Sequence, residues 1–242
     1  MNRTVAVIQA RTGSHRLPNK VLATLYDDVS ILAHQCRMLR HMAGVDELVI
    51  ATTDHPSDDA IVRLGEAEGI RTLRGSEDDV LSRFVQVAER TLAGTIVRIT
   101  SDSPFRDRNV IEACVAAHTA ARAEYTRPRP DHLPKGMRAE VVETRVLQAL
   151  DADPATSRRD REHVTLHIRE HPDQYRLEWV DFPKAWHRPD FDLSVDTPED
   201  LAFVRSVCQT LRERGETLEI GPICSMLEEM TVMGGLIKDL AR

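Results

Sequence analysis

Apolar, β-branched runs alternate with amphipathic stretches from the first residues onward, and no other feature of the chain limits its fold as much. Residues 5–8, Val-Ala-Val-Ile, have the composition of a strand buried on both faces. Residues 30–42 place Ile31, Leu32, Cys36, Leu39 and Met42 at helical spacing, and residues 47–53 read as a second strand. Residues 58–68 put Ile61, Leu64 and Ala67 on one helix face and end at Gly69, a residue suited to a left-handed helix cap. A short strand at 70–73 completes a β-α-β-α-β rhythm. Such a rhythm folds as a mostly parallel sheet with helices on both faces. With 242 residues and no Pro/Gly/Ser-rich linker, a single α/β domain spanning 1–242 is expected.

The first strand passes directly into a loop that carries Arg11, Arg16 and Lys20 around Gly13 and Ser14. Ligands of open α/β sheets bind outside the carboxyl ends of the strands, so three cations and free backbone N–H groups there suit a polyphosphate. The loop is not a P-loop, for it lacks Gly-Lys-Ser/Thr, and its one glycine does not make a dinucleotide fingerprint. A dehydrogenase is therefore disfavoured. A formal charge of −7 argues against nucleic-acid binding, which wants a basic face. No apolar run reaches the length of a membrane span, and the first strand begins too early for a signal peptide, so a cytoplasmic protein is expected. Cys36, Cys114, Cys208 and Cys224 show no metal-binding spacing and read as buried free thiols.

Further along, residues 75–83 open a helix that runs to 91, with acidic residues in its first turn. A β-branched strand at 95–100 delivers Asp102 to its carboxyl end, before a helix at 109–121. There Asp102 can cap the helix or, beside bound phosphates, hold a metal ion, which takes one or two protein carboxylates in such sites. Residues 125–136 are rich in Pro, Arg, Lys and His and read as an excursion over the sheet. A strand at 140–144, helices at 145–150 and 160–170, strands at 175–180 and 191–195, and a helix after the Asp196-Thr-Pro-Glu-Asp200 start signal follow. Residues 219–242 read as a helical segment with a Met-rich apolar face and a surface for a partner.

Residues 9–22, QARTGSHRLPNKVL, resemble the N-terminal signature of the sugar cytidylyltransferases, written QARxGSxRLPGKVL in the branch of the spore-coat polysaccharide biosynthesis F-type proteins. The wider family includes the CMP-Kdo and CMP-acylneuraminate synthetases. Asn19 stands where that signature has glycine, and Asn tolerates positive φ. Four further segments fall in the family's order: GSEDDVLSR at 75–83, RITSDSP at 98–104 against RxTGDCP, DREHVT at 160–165 and VDTPEDL at 195–201. Ser101 and Ser103 replace a glycine and a cysteine.

The resemblance implies a Rossmann-like nucleotide-diphospho-sugar transferase fold with a mixed, mostly parallel sheet. It implies transfer of CMP from CTP to an anionic small-molecule acceptor, with release of pyrophosphate and with Mg²⁺ as cofactor. Under it, Ala10, Arg11, Gly13, Ser14, Arg16, Lys20, Arg74, Asp79, Arg83 and Thr100 contact the nucleotide; Asp102 and Asp196 hold the metal; Lys135, Glu140, Glu162 and His163 face the acceptor. Arg11, Lys20 and Asp102 carry the catalytic burden, and a homodimer is the family's habit. His163 taken alone reads more often as a polar surface or capping residue than as a general base. A carboxy-sugar such as a nonulosonic acid is the default acceptor. A small phosphonate or phosphate, or a sugar 1-phosphate with another nucleotide, are the enzyme alternatives. The substitutions at 19, 101 and 103 leave a nucleotide-binding scaffold without turnover as the non-enzymatic one.

Overall fold

A computed structural model describes residues 3–14 and 16–240, with side chains through 232. In chain order the elements are β1 (Thr4–Gln9), β2 (Thr24–Tyr26), β3 (Val29–Ser30), α1 (Ile31–Met38), β4 (Glu47–Thr53), α2 (Asp59–Glu68), β5 (Arg71–Gly75), α3 (Val80–Thr91) and β6 (Thr95–Thr100). They continue with α4 (Arg108–Ala121), β7 (Tyr125–Pro128), β8 (Glu140–Glu143), α5 (Thr144–Ala152), α6 (Arg158–His163), α7 (Leu166–Glu170), β9 (Leu177–Val180), α8 (Pro198–Glu213) and α9 (Ile220–Leu240).

Seven strands form one sheet in the order β5-β4-β1-β6-β8-β7-β9. Its first four strands are parallel; β8 runs against both β6 and β7, and β9 is again parallel to β7. Val5, Ala6, Val7 and Ile8 of the central β1 are wholly buried, which is why they show no alternation of polar and apolar residues. Ala6 and Ile8 pack into a core with α1, α4, α8 and α9, whereas Val5 and Val7 pack into a second core with α3 and α5. Helices thus cover both faces. Each fully buried aliphatic side chain contributes roughly 1.5–3 kcal/mol.

Helix boundaries follow local chemistry. Ser30 caps α1 by accepting from Ala33 N, Gly69 closes α2 at φ 67°, and Thr197 with Asp200 forms a capping box on α8 with proline at its start. All four cysteines are buried free thiols.

Three expectations are corrected. Residues 125–136 do not skirt the sheet: β7 is one of its strands, with Tyr125 and Thr126 buried, and Leu133 and Met137 enter the core. Their prolines and charges disguised a strand at whose end the chain turns inward. The helix expected at 160–170 is broken into α6 and α7 by Val164, which has φ 57° and ψ −59°. Thr165 N donates to His163 O at 2.6 Å, closing a γ-turn of the rare positive-φ kind. Finally, residues 191–195 pair only through a single bridge between Asp192 and Lys135, not as a strand. Of the 219–242 segment, α9 is helical through Leu240; Met226 is buried and Met230 exposed, and the side chains beyond 232 lie outside the described residues.

Candidate active site

The loop leaving β1 is held by one buried carboxylate. Thr12 donates to Asp58 Oδ1 from its backbone N (2.8 Å) and from its hydroxyl (2.6 Å). Asp58 Oδ2 accepts from the hydroxyls of Thr52 (3.1 Å) and Thr53 (2.5 Å) and from Thr53 N (3.3 Å) at the end of β4. Burial pushes the Asp58 carboxyl up, but these hydrogen bonds outweigh it and hold the group below the usual carboxylate range. The loop then folds on Thr12, whose carbonyl accepts from Ser14 N at 2.8 Å and Asn19 N at 3.0 Å. Asn19 sits in the left-handed region at φ 58° and ψ 20°, a conformation that glycine or asparagine takes at low cost.

Lys20, in the short 3₁₀ turn that follows, donates to Asp196 Oδ1 and to Val195 O, both at 2.8 Å. Arg16 reaches Asp196 Oδ2 at 3.0 Å. Burial raises the Asp196 pKa, but the hydrogen bond and charge of Lys20, then the charge of Arg16, bring it below the ordinary value. The end of β6 is tied to the same place, because Val195 N donates to Asp102 O at 2.7 Å. Asp102 Oδ1 accepts from the Ser103 hydroxyl at 2.8 Å, and Gln35 fixes this turn by donating to Thr100 O and Ser103 O. Two aspartates from distant parts of the sequence thus meet beside the β1 loop.

These elements enclose a cavity of about 410 Å³ at the carboxyl ends of β1 and β6. Of the residues expected to bind nucleotide, Ala10, Arg11, Gly13, Ser14, Arg16, Lys20, Arg83 and Thr100 line it, as do Asp102, Asp196, Glu162 and His163. Arg83 is buried and donates to Ser76 O and Glu77 O; burial, then the like charge of Arg11, lowers its pKa to about 10. The γ-turn at Val164 ends α6 directly after Glu162 and His163, and its strain of about 1–3 kcal/mol is stored beside the cavity.

The sequence pattern of the family described as Cytidylyltransferase matches residues 5–228. The chain belongs to the cytidylyltransferase family. It is 37% identical over 217 residues to the spore coat polysaccharide biosynthesis protein SpsF of Bacillus subtilis (strain 168), covering 88% of this chain and 90% of that protein. It is 31% identical over 157 residues to a 3-deoxy-manno-octulosonate cytidylyltransferase of an Anaeromyxobacter species (strain Fw109-5), covering 62% of each. A solved cytidylyltransferase from Leptospira borgpetersenii has the same fold, with a TM-score of 0.85 at 22% identity over 96% of each chain. The protein is therefore a nucleotidyltransferase.

Four candidates lie outside the lining of this cytidylyltransferase's cavity. Arg74 pairs with Asp59 and donates to Thr53 O, so the edge of the sheet holds it. Asp79 caps α3 by accepting from Ser82 N and binds Arg161 at 2.5 Å. Lys135 pairs with Asp192 at 2.5 Å. Glu140 is half-buried and held by its own partners: Arg98 at 2.6 Å, Thr165 at 2.9 Å and the Tyr125 hydroxyl, with Arg169 at 3.8 Å. Burial would raise the Glu140 pKa, but Arg98 and Arg169 bring it down to about 2.

Conversely, Gln9, Val21, Val80, Arg98 and Ser101 line the cavity without having been assigned a contact. The signal for Arg98 was present. It stands two residues before Thr100 in an otherwise apolar strand, so both point to one face where that face stops being core.

Proposed function

We propose that this cavity transfers CMP from CTP to an anionic acceptor in an Mg²⁺-dependent reaction. The observation that supports it is the convergence of Arg11, Arg16 and Lys20 with Asp102 and Asp196 in a single cavity. In the transfer an acceptor oxygen attacks the α-phosphorus, the new P–O bond forms as the α–β phosphoanhydride bond breaks, and pyrophosphate leaves. Such chemistry asks the protein chiefly for position and charge.

Arg11, Arg16 and Lys20 hold the triphosphate oxygens, Arg11 and Arg16 as planar forks and Lys20 as a point charge. The Gly13 backbone N–H and the Ser14 hydroxyl add donors, and Ala10 lets the nucleotide approach the strand end. Asp102 and Asp196 suit a metal that takes one or two carboxylates and completes its shell with phosphate oxygens and water. When bound it supplies Lewis-acid stabilisation of the phosphate charge. Glu162 and His163 form the acceptor side. By analogy with the octulosonate cytidylyltransferase and the spore-coat polysaccharide protein, the product serves surface-polysaccharide or glycoconjugate synthesis.

The test is Asp102→Asn, assayed by pyrophosphate release from CTP with Mg²⁺ and by melting temperature. Loss of turnover with an unchanged melting temperature is expected. Full turnover in that variant would remove the metal assignment.

A further inference from the structure

Ser103 stands where the family's segment has cysteine, and its hydroxyl ends a line of hydrogen bonds that starts at a guanidinium. Arg106 Nη2 donates to Thr100 Oγ1 at 3.0 Å, Thr100 Oγ1 and Ser103 Oγ lie 3.3 Å apart, and Ser103 Oγ donates to Asp102 Oδ1 at 2.8 Å. Each hydroxyl has one proton to give. Because the Ser103 proton goes to Asp102, the Thr100 hydroxyl donates to Ser103 and accepts from Arg106, so all three bonds point towards the carboxylate. Burial lowers the Arg106 pKa to about 10, which leaves it charged at neutral pH, and Asp102 is the first of the opposite charges that offset the burial.

This line holds the carboxylate, not the backbone. The backbone of the turn is fixed by other groups: Gln35 Nε2 donates to Thr100 O at 3.1 Å and to Ser103 O at 2.7 Å, and Val195 N donates to Asp102 O at 2.7 Å. What the Ser103 hydroxyl adds is the orientation of the Asp102 carboxylate about its last rotatable bond. It occupies Oδ1, whereas Oδ2 makes no hydrogen bond or ion pair among the described residues, and Asp102 borders the cavity. Asp102 thus has one oxygen to offer there. Mg²⁺ takes single carboxylate oxygens in a tight octahedral shell and loses nothing by this. Ca²⁺ is larger, takes six to eight oxygens and is often served by both oxygens of one carboxylate. A thiol is a weak donor and would leave that carboxylate freer to turn.

We propose that Ser103, backed by Thr100 and Arg106, is a positioning residue that makes Asp102 a one-oxygen metal ligand and so sets the site for a Mg²⁺-nucleotide against a Ca²⁺-nucleotide. The inference rests on the nucleotidyl-transfer reading and adds to it a residue and a basis for metal selection.

Isothermal titration of CTP into the full chain, without metal and with saturating Mg²⁺ or Ca²⁺, reads the preference as the ratio of the two dissociation constants. In the unaltered protein the ratio should favour Mg²⁺. Ser103→Ala leaves the Gln35 and Val195 bonds in place and should reduce that preference about tenfold, the worth of one hydrogen bond to a charged group, with Ser103→Cys in between. Thr100→Val removes only the middle of the line and should shift the ratio in the same direction by less. Melting temperatures without ligand report whether each variant is folded; where Ser103→Ala is not, Ser103→Cys decides. A ratio unchanged in the folded Ser103 variants, or Mg²⁺ and Ca²⁺ affinities that fall together, overturns the inference and leaves the nucleotide reading standing, because a merely structural serine acts on both metals alike. An unaltered protein that binds CTP equally well with Ca²⁺ and with Mg²⁺ overturns it too. CTP binding that no metal strengthens in the unaltered protein would remove the metal from the underlying reading, and the inference with it.

Discussion

Asp58→Asn is the perturbation that most directly connects the fold to the cavity. The carboxylate accepts two bonds from Thr12 on one oxygen and three from Thr52 and Thr53 on the other. An asparagine keeps one acceptor oxygen and turns an NH₂ group towards the remaining donors. At least the two Thr12 bonds are lost, and hydrogen bonds to a charged acceptor are worth about 1.5–3 kcal/mol each, so a destabilisation of about 3 kcal/mol or more is expected. At this chain length that lowers the melting temperature by roughly 6–12 °C. Thr12 then no longer fixes Ser14 and Asn19, so CTP binding should weaken in the same variant. Because the folded Asp58 pKa is depressed, its contribution is present above the unfolded value of 3.8 and is lost only as pH falls through the folded one. The gap between variant and parent in calorimetry should hence be constant from pH 7 down to about 4. A variant within about 1 kcal/mol of the parent, with unaltered CTP affinity, would refute the role given to this carboxylate.

Glu140 should dominate acid unfolding: its pKa falls from 4.5 to about 2 on folding, so its stabilisation is full above pH 4.5 and is lost towards pH 2. This amounts to about 3 kcal/mol, and denaturant titrations of Glu140→Gln should show a flatter pH dependence across that interval. Leu92 is 83% exposed and ends α3 at φ 55°, so Leu92→Gly should raise stability by about 1 kcal/mol, read as a higher denaturant midpoint. Asp196→Asn frees Lys20 and Arg16 and removes a carboxylate from the triphosphate site. Isothermal titration should show tighter binding of metal-free CTP to that variant, and the rise in affinity on adding Mg²⁺ should shrink.

The parallel half of the fold was legible because its signals are local. β4 and the caps of α1, α2 and α8 need only their own residues, and an apolar run such as 5–8 in β1 has few other places to go. In the other half β8, β9, α5 and α8 were also read from their own residues, but β7 and the break between α6 and α7 were not, for a physical reason. β7 begins with a tyrosine and a threonine that are wholly covered, but its arginines and prolines carry the composition of a loop; only pairing with β8 and β9 makes it a strand. Val164 broke a helix by a left-handed turn that no β-branched residue prefers, so nothing local announced it. In the cavity, residues of the β1 loop were found because the motif is contiguous. Arg98 was overlooked because its partner Glu140 is 42 residues away and becomes a neighbour only through the antiparallel register of β6 and β8.

That register also explains how one sheet keeps two sets of cations apart. The parallel strands β1 and β6 bring the basic loop and Asp102 to the same end, and there Lys20 and Arg16 both pair with Asp196. The reversed strand β8 places the Glu140 carboxylate directly opposite Arg98, since residues 98 and 140 are paired in the ladder. Asp196 is about a third exposed and shares its oxygens with two exchangeable side chains, so an incoming triphosphate can displace it. Glu140 takes bonds from three elements and stays charged down to acid pH, so it is held more firmly than Asp196. Charge on the loop side is thereby released when the nucleotide arrives, whereas charge on the β6 side is fixed in direction beforehand. A cavity that must hold one mobile polyphosphate and align a second anion against it requires that difference.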